Sequence, residues 1–272
     1  MMNLIVVPNK KEEINSILSK NIKGIILGVE SLSIYNLSLP LDEIVNISNN
    51  TNKEIIIAIN KMLHNEDLSL VEEVLERVKK TNIKKILFYD LAVLNIAKRL
   101  NVQKELIYSS EHLNASIDSN NFYFNHGVKN VLITSDITYK EILDIKAKTK
   151  MSIYYTVYGH LPIFYSRRYL ISNYFSYINK KKEDTMYYIK NEELNYLIKE
   201  ADYGTVIYSP CINLLNFISK IKNIDYYVID LSFVEDISII DNFISGEEME
   251  ENLYTGFFDK ETTYKLKEER KG

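Results

Sequence analysis

The sequence predicts a (β/α)8 barrel resembling that of triosephosphate isomerase. Short apolar, β-branched runs alternate with longer stretches whose apolar residues recur at helical spacing, and the alternation begins at the first residues of the 272-residue chain. The βα units recur roughly every 25–30 residues, and a continuous series of this length favours a closed barrel over an open sheet.

Eight apolar runs are predicted to form the barrel strands. In chain order they are Leu4–Val7, 24–28, Glu54–Ile59, 83–89, 106–108, 130–133, 152–157 and Tyr226–Asp230. Helices are predicted between them, ending near Lys20 and covering 68–80, 91–100, part of 112–126, and 139–150. Ser69 with Glu72 and Thr138 with Glu141 have the spacing of capping boxes, and Asp90 is a candidate N-cap.

The alternation breaks between the seventh and eighth strands, where residues 159–210 are rich in aromatic and basic side chains. Within this insertion, 186–189 and 205–208 are predicted to be strands and 192–201 a helical turn or two. Ser209 and Pro210 are typical of a helix start. No Gly/Ser-rich or Pro-rich linker divides the chain. We therefore predict one domain over 1–250, which includes the insertion, and a C-terminal tail over 251–272.

Composition limits the classes of function. Lys+Arg 33 against Asp+Glu 37 leaves a net charge of -4, which does not indicate a nucleic-acid or anionic membrane surface. A single cysteine, Cys211, excludes a disulfide within the chain and a four-cysteine metal site supplied by this chain alone. Without a signal peptide or an apolar run near the ~20 residues of a membrane span, we expect a cytoplasmic protein with no membrane contact.

Common cofactor motifs are also missing. The sequence contains neither a dinucleotide nor a P-loop fingerprint in its required strand–helix context, and no His-Glu-x-x-His. The four histidines have no zinc-ligand spacing. We therefore expect no metal site and no bound cofactor.

Candidate site residues follow from the barrel rule that catalytic groups lie at the carboxyl ends of the strands. Glu30, Asp136 and Asp230 are predicted to be catalytic, with Glu30 or Asp136 pairing with Asp230 as acid and base. Asn60 and His112 are predicted to bind substrate. Asp90 and Asp136 also stand where helix caps stand, and this alternative stays open.

The most specific segment is 156–175, TVYGHLPIFYSRRYLISNYF. It resembles the signature region of the collagenase-like peptidases of family U-32, in which His-Gly, a cysteine, Tyr-Ser, a small residue, Arg, a second cysteine and Leu-Ser-Asn-Tyr follow one another. The matching residues are Gly159, Tyr165, Ser166, Arg168, Ser172 and Asn173. Similar segments elsewhere are Asn60 with His64-Asn65, Asp90-Leu91 with Val93-Leu94, Ser110-Glu111-His112, Ser135-Asp136 and Ile229-Asp230.

Departures from this signature concern the thiols. Tyr158 replaces the signature histidine, Pro162 and Tyr169 replace the two cysteines, and Ser135 replaces an arginine. Relatives in this family support hydroxylation of uridine in RNA or of a quinone precursor with a four-cysteine iron–sulfur cluster. With one cysteine, this chain cannot build such a cluster alone.

Two functions remain open. The resemblance implies a peptidase whose rim site binds a peptide or small anionic ligand. The planar guanidinium group of Arg168 would bind a carboxylate or phosphate of that ligand, beside Tyr165, Ser166 and Asn173. The alternative is an accessory paralogue that has lost the cluster and binds RNA or a cluster-bearing partner subunit. Lys180-Lys181-Lys182 and the neighbouring arginines and tyrosines would then contact phosphates and bases.

Overall fold

The computed structural model describes residues 2–110, 114–191, 193–248 and 253–260. The strands are β1 (Leu4–Val7), β2 (Gly24–Val29), β3 (Ser38–Leu39), β4 (Glu54–Ile59), β5 (Lys85–Phe88), β6 (Glu105–Ser109), β7 (Asn130–Leu132), β8 (Ser152–Gly159), β9 (Pro162–Ser166), β10 (Met186–Asn191), β11 (Leu194–Ala201), β12 (Gly204–Tyr208), β13 (Ile212–Asn213) and β14 (Tyr226–Asp230). The α-helices are α1 (Ile14–Ser19), α2 (Leu41–Asn49), α3 (Leu68–Val78), α4 (Leu91–Arg99), α5 (Ile117–Asn125), α6 (Tyr139–Lys148), α7 (Leu170–Tyr177) and α8 (Ile239–Ser245). Short 3-10 helices occupy Lys11–Glu13, Asn65–Asp67 and Leu215–Ile221.

Eight parallel strands close into a barrel, which confirms the predicted fold class. Their order is β1-β14-β8-β7-β6-β5-β4-β2, and pairing of Ile5 with Gly24 joins β2 back to β1. The short strand β3 pairs in parallel with β2, and β13 pairs antiparallel with β8. Each predicted barrel run overlaps one of these strands.

Alternate residues of the barrel strands enter two separate cores. In β1, Ile5 and Val7 face the barrel interior, whereas Leu4 and Val6 pack outward against the helices. Because both faces are buried, these strands are largely apolar, and most of their polar residues stand at or near the strand ends. This is the physical reason that the sequence pattern located them.

The amino-terminal end of the barrel is closed by Lys85, the first residue of β5. Its Nζ lies 2.8 Å from the Tyr154 hydroxyl, 3.0 Å from Glu54 Oε2 and 4.6 Å from the centre of the Tyr226 ring. The rings of Tyr154 and Tyr226 are stacked 4.1 Å apart. The opposite, carboxyl end is the end that remains open for a ligand.

The insertion forms a four-stranded antiparallel sheet in the order β10-β11-β12-β9, flanked by α7. Its Leu197, Val206 and Tyr208 pack with Ile34 and Phe233 from loops at the carboxyl end of the barrel. The insertion therefore covers part of the barrel mouth. That barrel and insertion form a single domain stays a prediction.

Two predicted helices in this region were wrong. Residues 194–201 form strand β11, because ladders to β10 and β12 on both sides satisfy its backbone. No helix begins at Ser209 and Pro210, where the Ser209 hydroxyl accepts a hydrogen bond from the Leu161 N–H at 3.1 Å. Strand β13 and the 3-10 helix Leu215–Ile221 follow instead.

The predicted caps had mixed outcomes. Thr138 caps α6 with Glu141 as predicted, and Asp90 accepts the Ala92 N–H at 2.8 Å. The predicted Ser69–Glu72 capping box was wrong, because α3 already begins at Leu68 and Ser69 lies within it. Just before α3, the Asp67 carboxylate accepts the His64 N–H at 2.8 Å, and Glu72 is paired with Arg99 instead.

Part of the predicted tail, residues 253–260, is docked on the barrel through the fully buried Phe258. Residues 251, 252 and 261–272 lie outside the described part of the chain. Among the helices that are described, none has the length and hydropathy needed to cross a bilayer.

Candidate functional site

A cavity of about 560 Å³ opens at the carboxyl ends of the barrel strands. The barrel and its loops contribute Ile34, Tyr35, Asn60, Tyr89, Ser109, Ser110, residues 132–136, Thr156, Asp230 and Ser232; the insertion and the residues just after it contribute Leu161, Pro162, Ile163, Tyr196, Tyr208, Ser209 and Ile212; the docked tail contributes Tyr254, Gly256 and Phe257. Its volume is in the range of small-molecule sites in proteins.

Asp230, the last residue of β14, is buried in the cavity wall. Burial raises the pKa of its carboxyl group to about 6, although the Ser232 N–H partly offsets this by donating to Oδ1 at 2.8 Å. Burial and the nearby Asp230 charge also raise the pKa of the Tyr35 hydroxyl. The Ser232 hydroxyl is buried and has no partner of ordinary hydrogen-bond geometry in the described part of the chain. The cavity wall therefore contains one carboxyl group, that of Asp230, whose pKa is raised towards neutral pH.

Asp136 lines the same cavity from the loop after β7. Its N–H donates to Thr134 Oγ1 at 3.2 Å. The alternative that Asp136 caps the next helix was wrong, because Thr138 occupies that position and accepts the Glu141 N–H. The carboxyl group of Asp136 is thus not committed to the cap of α6.

Asn60, at the end of β4, also lines the cavity and is nearly fully buried. Its Oδ1 accepts hydrogen bonds from Ser33 Oγ at 2.7 Å and from the Ile34 N–H at 3.1 Å. These bonds fix the loop after β2, on which the insertion packs. Part of the role of Asn60 is therefore to shape the mouth.

The other predicted site residues at the strand ends are not among the described lining. Glu30 is exposed, and its N–H donates to the Leu39 carbonyl at 3.0 Å. His112 lies outside the described residues. The structure thus brings Asn60, Asp136 and Asp230 together and leaves Glu30 apart.

The predicted site residues of the segment that resembles the family signature lie at a turn and on α7, outside the described cavity wall. Tyr165 donates its hydroxyl hydrogen to the Tyr203 carbonyl at 3.2 Å, and Ser166 Oγ accepts the Arg168 N–H at 3.2 Å. The Arg168 carbonyl accepts from Thr205 Oγ1 at 2.7 Å, whereas its side chain is exposed. Asn173 is likewise exposed, on α7. The segment 156–175 reaches the described lining only through its first half, with Thr156, Leu161, Pro162 and Ile163.

A buried ion pair that the sequence pattern missed lies beneath α7. Glu200 of β11 accepts hydrogen bonds from the Ser172 N–H at 3.1 Å, from the Ser172 hydroxyl, and from Lys182 Nζ at 2.7 Å. Burial acts to raise the pKa of Glu200, but Lys182 and Ser172 outweigh it and hold that pKa below its ordinary value. One of the three consecutive lysines therefore supports the fold.

The donor set does not fit the four-cysteine cluster implied by the resemblance. Pro162 lines the cavity and Tyr169 is exposed at the start of α7, where the signature has cysteines. Burial raises the pKa of the Cys211 thiol, which disfavours the thiolate that binds metal. Within the described ranges, no three His, Cys, Asp or Glu side chains are grouped to hold a metal ion.

The closed parallel barrel, with a cavity at the carboxyl end of its strands, defines a protein of the (β/α)8-barrel class. A family model described as Peptidase family U32 matches residues 11–239. The chain therefore belongs to peptidase family U32, which confirms the resemblance drawn from residues 156–175.

One curated relative is the tRNA hydroxylation protein P2 of Bacillus subtilis (strain 168). It is 24% identical over 222 residues, which cover 76% of this chain and 71% of that protein. Among solved structures, orotidine 5'-monophosphate decarboxylase from Sulfolobus solfataricus is 12% identical, with 90% of this chain and 96% of that chain covered and a TM-score of 0.49. A phosphonomutase from Burkholderia cenocepacia J2315 is 9% identical over 57% of this chain and 78% of that chain, with a TM-score of 0.43.

Proposed function

We propose that this protein acts in tRNA modification and that its barrel cavity receives an RNA base. The observation that carries the proposal is the character of the cavity wall. Tyrosine rings, hydroxyl groups, Asn60 and two carboxyl groups surround the space, and no Lys or Arg is among the described lining residues. The relative named for tRNA hydroxylation supports RNA as the substrate class.

The charges of the lining favour an uncharged ligand. A phosphate or carboxylate would have to leave water and approach the buried Asp230 carboxyl group, with no Lys or Arg among the described lining residues to compensate its charge, which is costly. A planar base can stack on tyrosine rings and hydrogen-bond to Asn60 or Asp230. We therefore propose an uncharged ring in place of the small anionic ligand that the sequence suggested.

The phosphates of the RNA would remain outside the cavity. Arg168, Lys180 and Lys181 are exposed, as are the aromatic rings of Tyr174 and Tyr177 on and beside α7. We propose that these side chains contact the strand that leads to the bound base, because cations neutralise phosphates and tyrosine rings stack with bases. Lys182 is excluded from this role because it pairs with Glu200.

Hydroxylation itself is assigned in this proposal to another chain. A four-cysteine cluster would need cysteines beyond Cys211, so we propose that a cluster-bearing subunit works with this RNA-binding chain. A role on tRNA would place the protein in the cytoplasm, as the sequence predicts.

The first test measures binding of a fluorescently labelled tRNA transcript to the full chain at increasing salt. We expect binding to weaken steeply with salt. In the Lys180→Gln/Lys181→Gln variant, the plot of the logarithm of the binding constant against the logarithm of salt concentration should be less steep by about 1.5, as expected for two lost phosphate contacts. Absence of tRNA binding, or a slope that is unchanged in this variant, would argue against the proposed strand contacts.

The second test fills the cavity. Ser135 lines it, whereas Ser16 is exposed on α1, outside both the cavity and the proposed strand contacts, and serves as the matched control. In cells that lack the gene, Ser135→Phe should fail to restore hydroxylated tRNA nucleosides measured by mass spectrometry, and Ser16→Phe should restore them. Full restoration by a folded Ser135→Phe protein would contradict base binding in the cavity.

Peptide hydrolysis is a second candidate, favoured by one observation. Asp136 and Asp230 line the same cavity, and burial raises the pKa of Asp230 to about 6, a value suited to proton transfer near neutral pH. A peptidase of this kind would use Asp136 rather than Glu30 beside Asp230. Cleavage of a peptide library that persists through repurification and disappears in Asp230→Asn would support hydrolysis, and equal cleavage by both proteins would indicate a contaminant.

A further inference from the structure

We propose that residues 253–260, here called the clasp, form a releasable wall of the barrel cavity whose undocking controls access to it. The proposal concerns the cavity of the proposed function, but it requires no particular ligand. It assigns a role to a stretch that the sequence pattern left within a tail.

The main anchor of the clasp is the ring of Phe258. Phe258 is fully buried, and its ring centre lies 5.4 Å from that of Tyr139, 5.9 Å from that of Phe217 and 6.4 Å from that of Tyr155. The Phe258 carbonyl accepts the Tyr139 N–H at 2.7 Å. This anchor attaches the clasp to α6, β8 and the 3-10 helix after β13.

The preceding residues face the cavity. Tyr254, Gly256 and Phe257 line it, and the Tyr254 carbonyl accepts the Asn213 N–H at 3.0 Å. Gly256 adopts a φ of +61°, and a Cβ at this position would lie 3.2 Å from Ile212 Cδ1. This turn lets the exposed Phe257 ring line the cavity while the adjacent Phe258 enters the core.

Internal hydrogen bonds hold the shape of the clasp independently of the barrel. The Phe258 N–H donates to the Thr255 carbonyl and the Lys260 N–H to the Phe257 carbonyl, each at 3.2 Å. The Thr255 hydroxyl donates to Asp259 Oδ1 at 3.0 Å. The clasp pairs with no strand of the described sheets. A compact segment attached through the buried Phe258 ring, the partly buried Tyr254 side chain and two carbonyls can leave as a unit, without breaking a β-ladder.

Release would change the cavity directly. It would withdraw the Tyr254 and Phe257 rings from the wall and widen the mouth beside Ile212. We therefore assign Phe258 a positioning role, since it acts on the cavity only through its neighbours. The Phe257 ring, by contrast, is placed to contact a bound ligand.

The first experiment uses the unaltered chain. The amides of Tyr139 and Asn213 are 74 residues apart in sequence and both donate to clasp carbonyls, so release should expose them together. We expect the two amides to exchange with solvent deuterium at similar rates, at least tenfold faster than barrel amides such as that of Val228. Exchange as slow as that of the barrel amides would overturn the proposal.

The second experiment measures access to the cavity. Thr156→Cys, introduced with Cys211→Ala, places one thiol in the cavity wall for alkylation by iodoacetamide. Adding Phe258→Ala should raise the alkylation rate at least tenfold. Phe243→Ala removes an equally buried ring from α8 and controls for loss of global stability. An unchanged rate with Phe258→Ala, or an equal rise with Phe243→Ala, would overturn the proposal whether or not RNA binds.

Discussion

The backbone of Gly159, at the end of β8, passes so close to Asp230 that a Cβ on Gly159 would lie 2.3 Å from the Asp230 carbonyl oxygen. Gly159 also has a φ of +128°, a conformation that residues with a side chain rarely adopt. Glycine is therefore needed here on two counts. The match of Gly159 to the family signature has a structural reason, because this close approach sets where β14 ends and delivers Asp230 to the cavity.

We predict that Gly159→Ala destabilises the protein by more than about 3 kcal/mol, because the added methyl group displaces β14 and forces a strained φ. Gly127→Ala is the matched control. Gly127 has a φ of +90°, but in the described part of the chain no atom beyond its two chain neighbours lies within 4 Å of the point that a Cβ would occupy, so only backbone strain applies and the cost should be about 1 kcal/mol. Urea denaturation of both variants measures the difference, and equal losses would show that the contact with Asp230 is unimportant.

Removing the Lys85 ammonium group, which closes the amino-terminal end of the barrel, should also lower the free energy of unfolding. Burial acts to lower the pKa of Lys85, but the hydrogen bond and charge of Glu54 outweigh it and hold that pKa above its usual value. In Lys85→Met the partly buried Glu54 carboxylate keeps only the half-exposed Lys23 ammonium, 3.2 Å from its Oε1, as a counter-charge, and we expect a loss of about 2 kcal/mol in the free energy of unfolding.

A second substitution tests the cause of that loss. If the loss of the buried Lys85 counter-charge beside Glu54 is responsible, Lys85→Met/Glu54→Gln should recover at least about 1 kcal/mol relative to Lys85→Met. A double variant no more stable than the single one would instead assign the loss to the packing of Lys85 against the Tyr154 and Tyr226 rings.

The ion pair beneath α7 predicts different roles for neighbouring lysines. Lys182→Met should destabilise the insertion by about 2 kcal/mol, because Glu200 is left buried with only hydroxyl and N–H partners. Lys181→Met, at an exposed position, should cost under about 0.5 kcal/mol. Hydrogen exchange at the Ser172 amide, which donates to Glu200, reports the local change.

The pH dependence of this effect has a definite sign. The pKa of Glu200 is lowered in the folded protein, so its stabilisation is present above the unfolded value of 4.5 and is lost as pH falls through the folded pKa. The difference between the unaltered protein and Lys182→Met should therefore shrink in acid. A difference that stays constant across this range would contradict the assigned ion pair.

The sequence was informative where burial acts on a whole strand. Ile55 to Ile59 form an unbroken apolar run because one face of β4 meets the barrel interior and the other meets helices. Strand β11 was missed because Lys199 and Glu200 interrupt its apolar residues. Both polar groups find partners only in the folded chain, Lys199 with Asn36 and Glu200 with Lys182.

Site residues were predictable from their position along the chain but not from side-chain chemistry alone. Asn60, Asp136 and Asp230 follow barrel strands and meet at the mouth, as the barrel rule requires. Arg168 was chosen for its guanidinium, yet its described hydrogen bonds use its backbone. The clasp had one overlooked signal, since Phe257-Phe258 after Gly256 is an aromatic pair in a tail of mostly polar and charged residues, and one of its rings is buried.

The last prediction concerns the buried carboxyl group of Asp230. Its pKa rises from 3.8 in the unfolded chain to about 6 in the folded protein, so the folded state binds more protons between these values. Stability is therefore lost as pH rises through this interval, by about 3 kcal/mol in total. Asp230→Asn removes this dependence. The free energy of unfolding of the variant, minus that of the unaltered protein, should therefore increase by about 2 kcal/mol from about pH 4.5 to about pH 8. Denaturant titrations at each pH measure this difference. Asp118→Asn, at an exposed position on α5, is the control and should show no such gain. If Asp230→Asn gained nothing either, the carboxyl group would be fully ionised at both pH values, and the proton-transfer role that favours peptide hydrolysis would lose its basis.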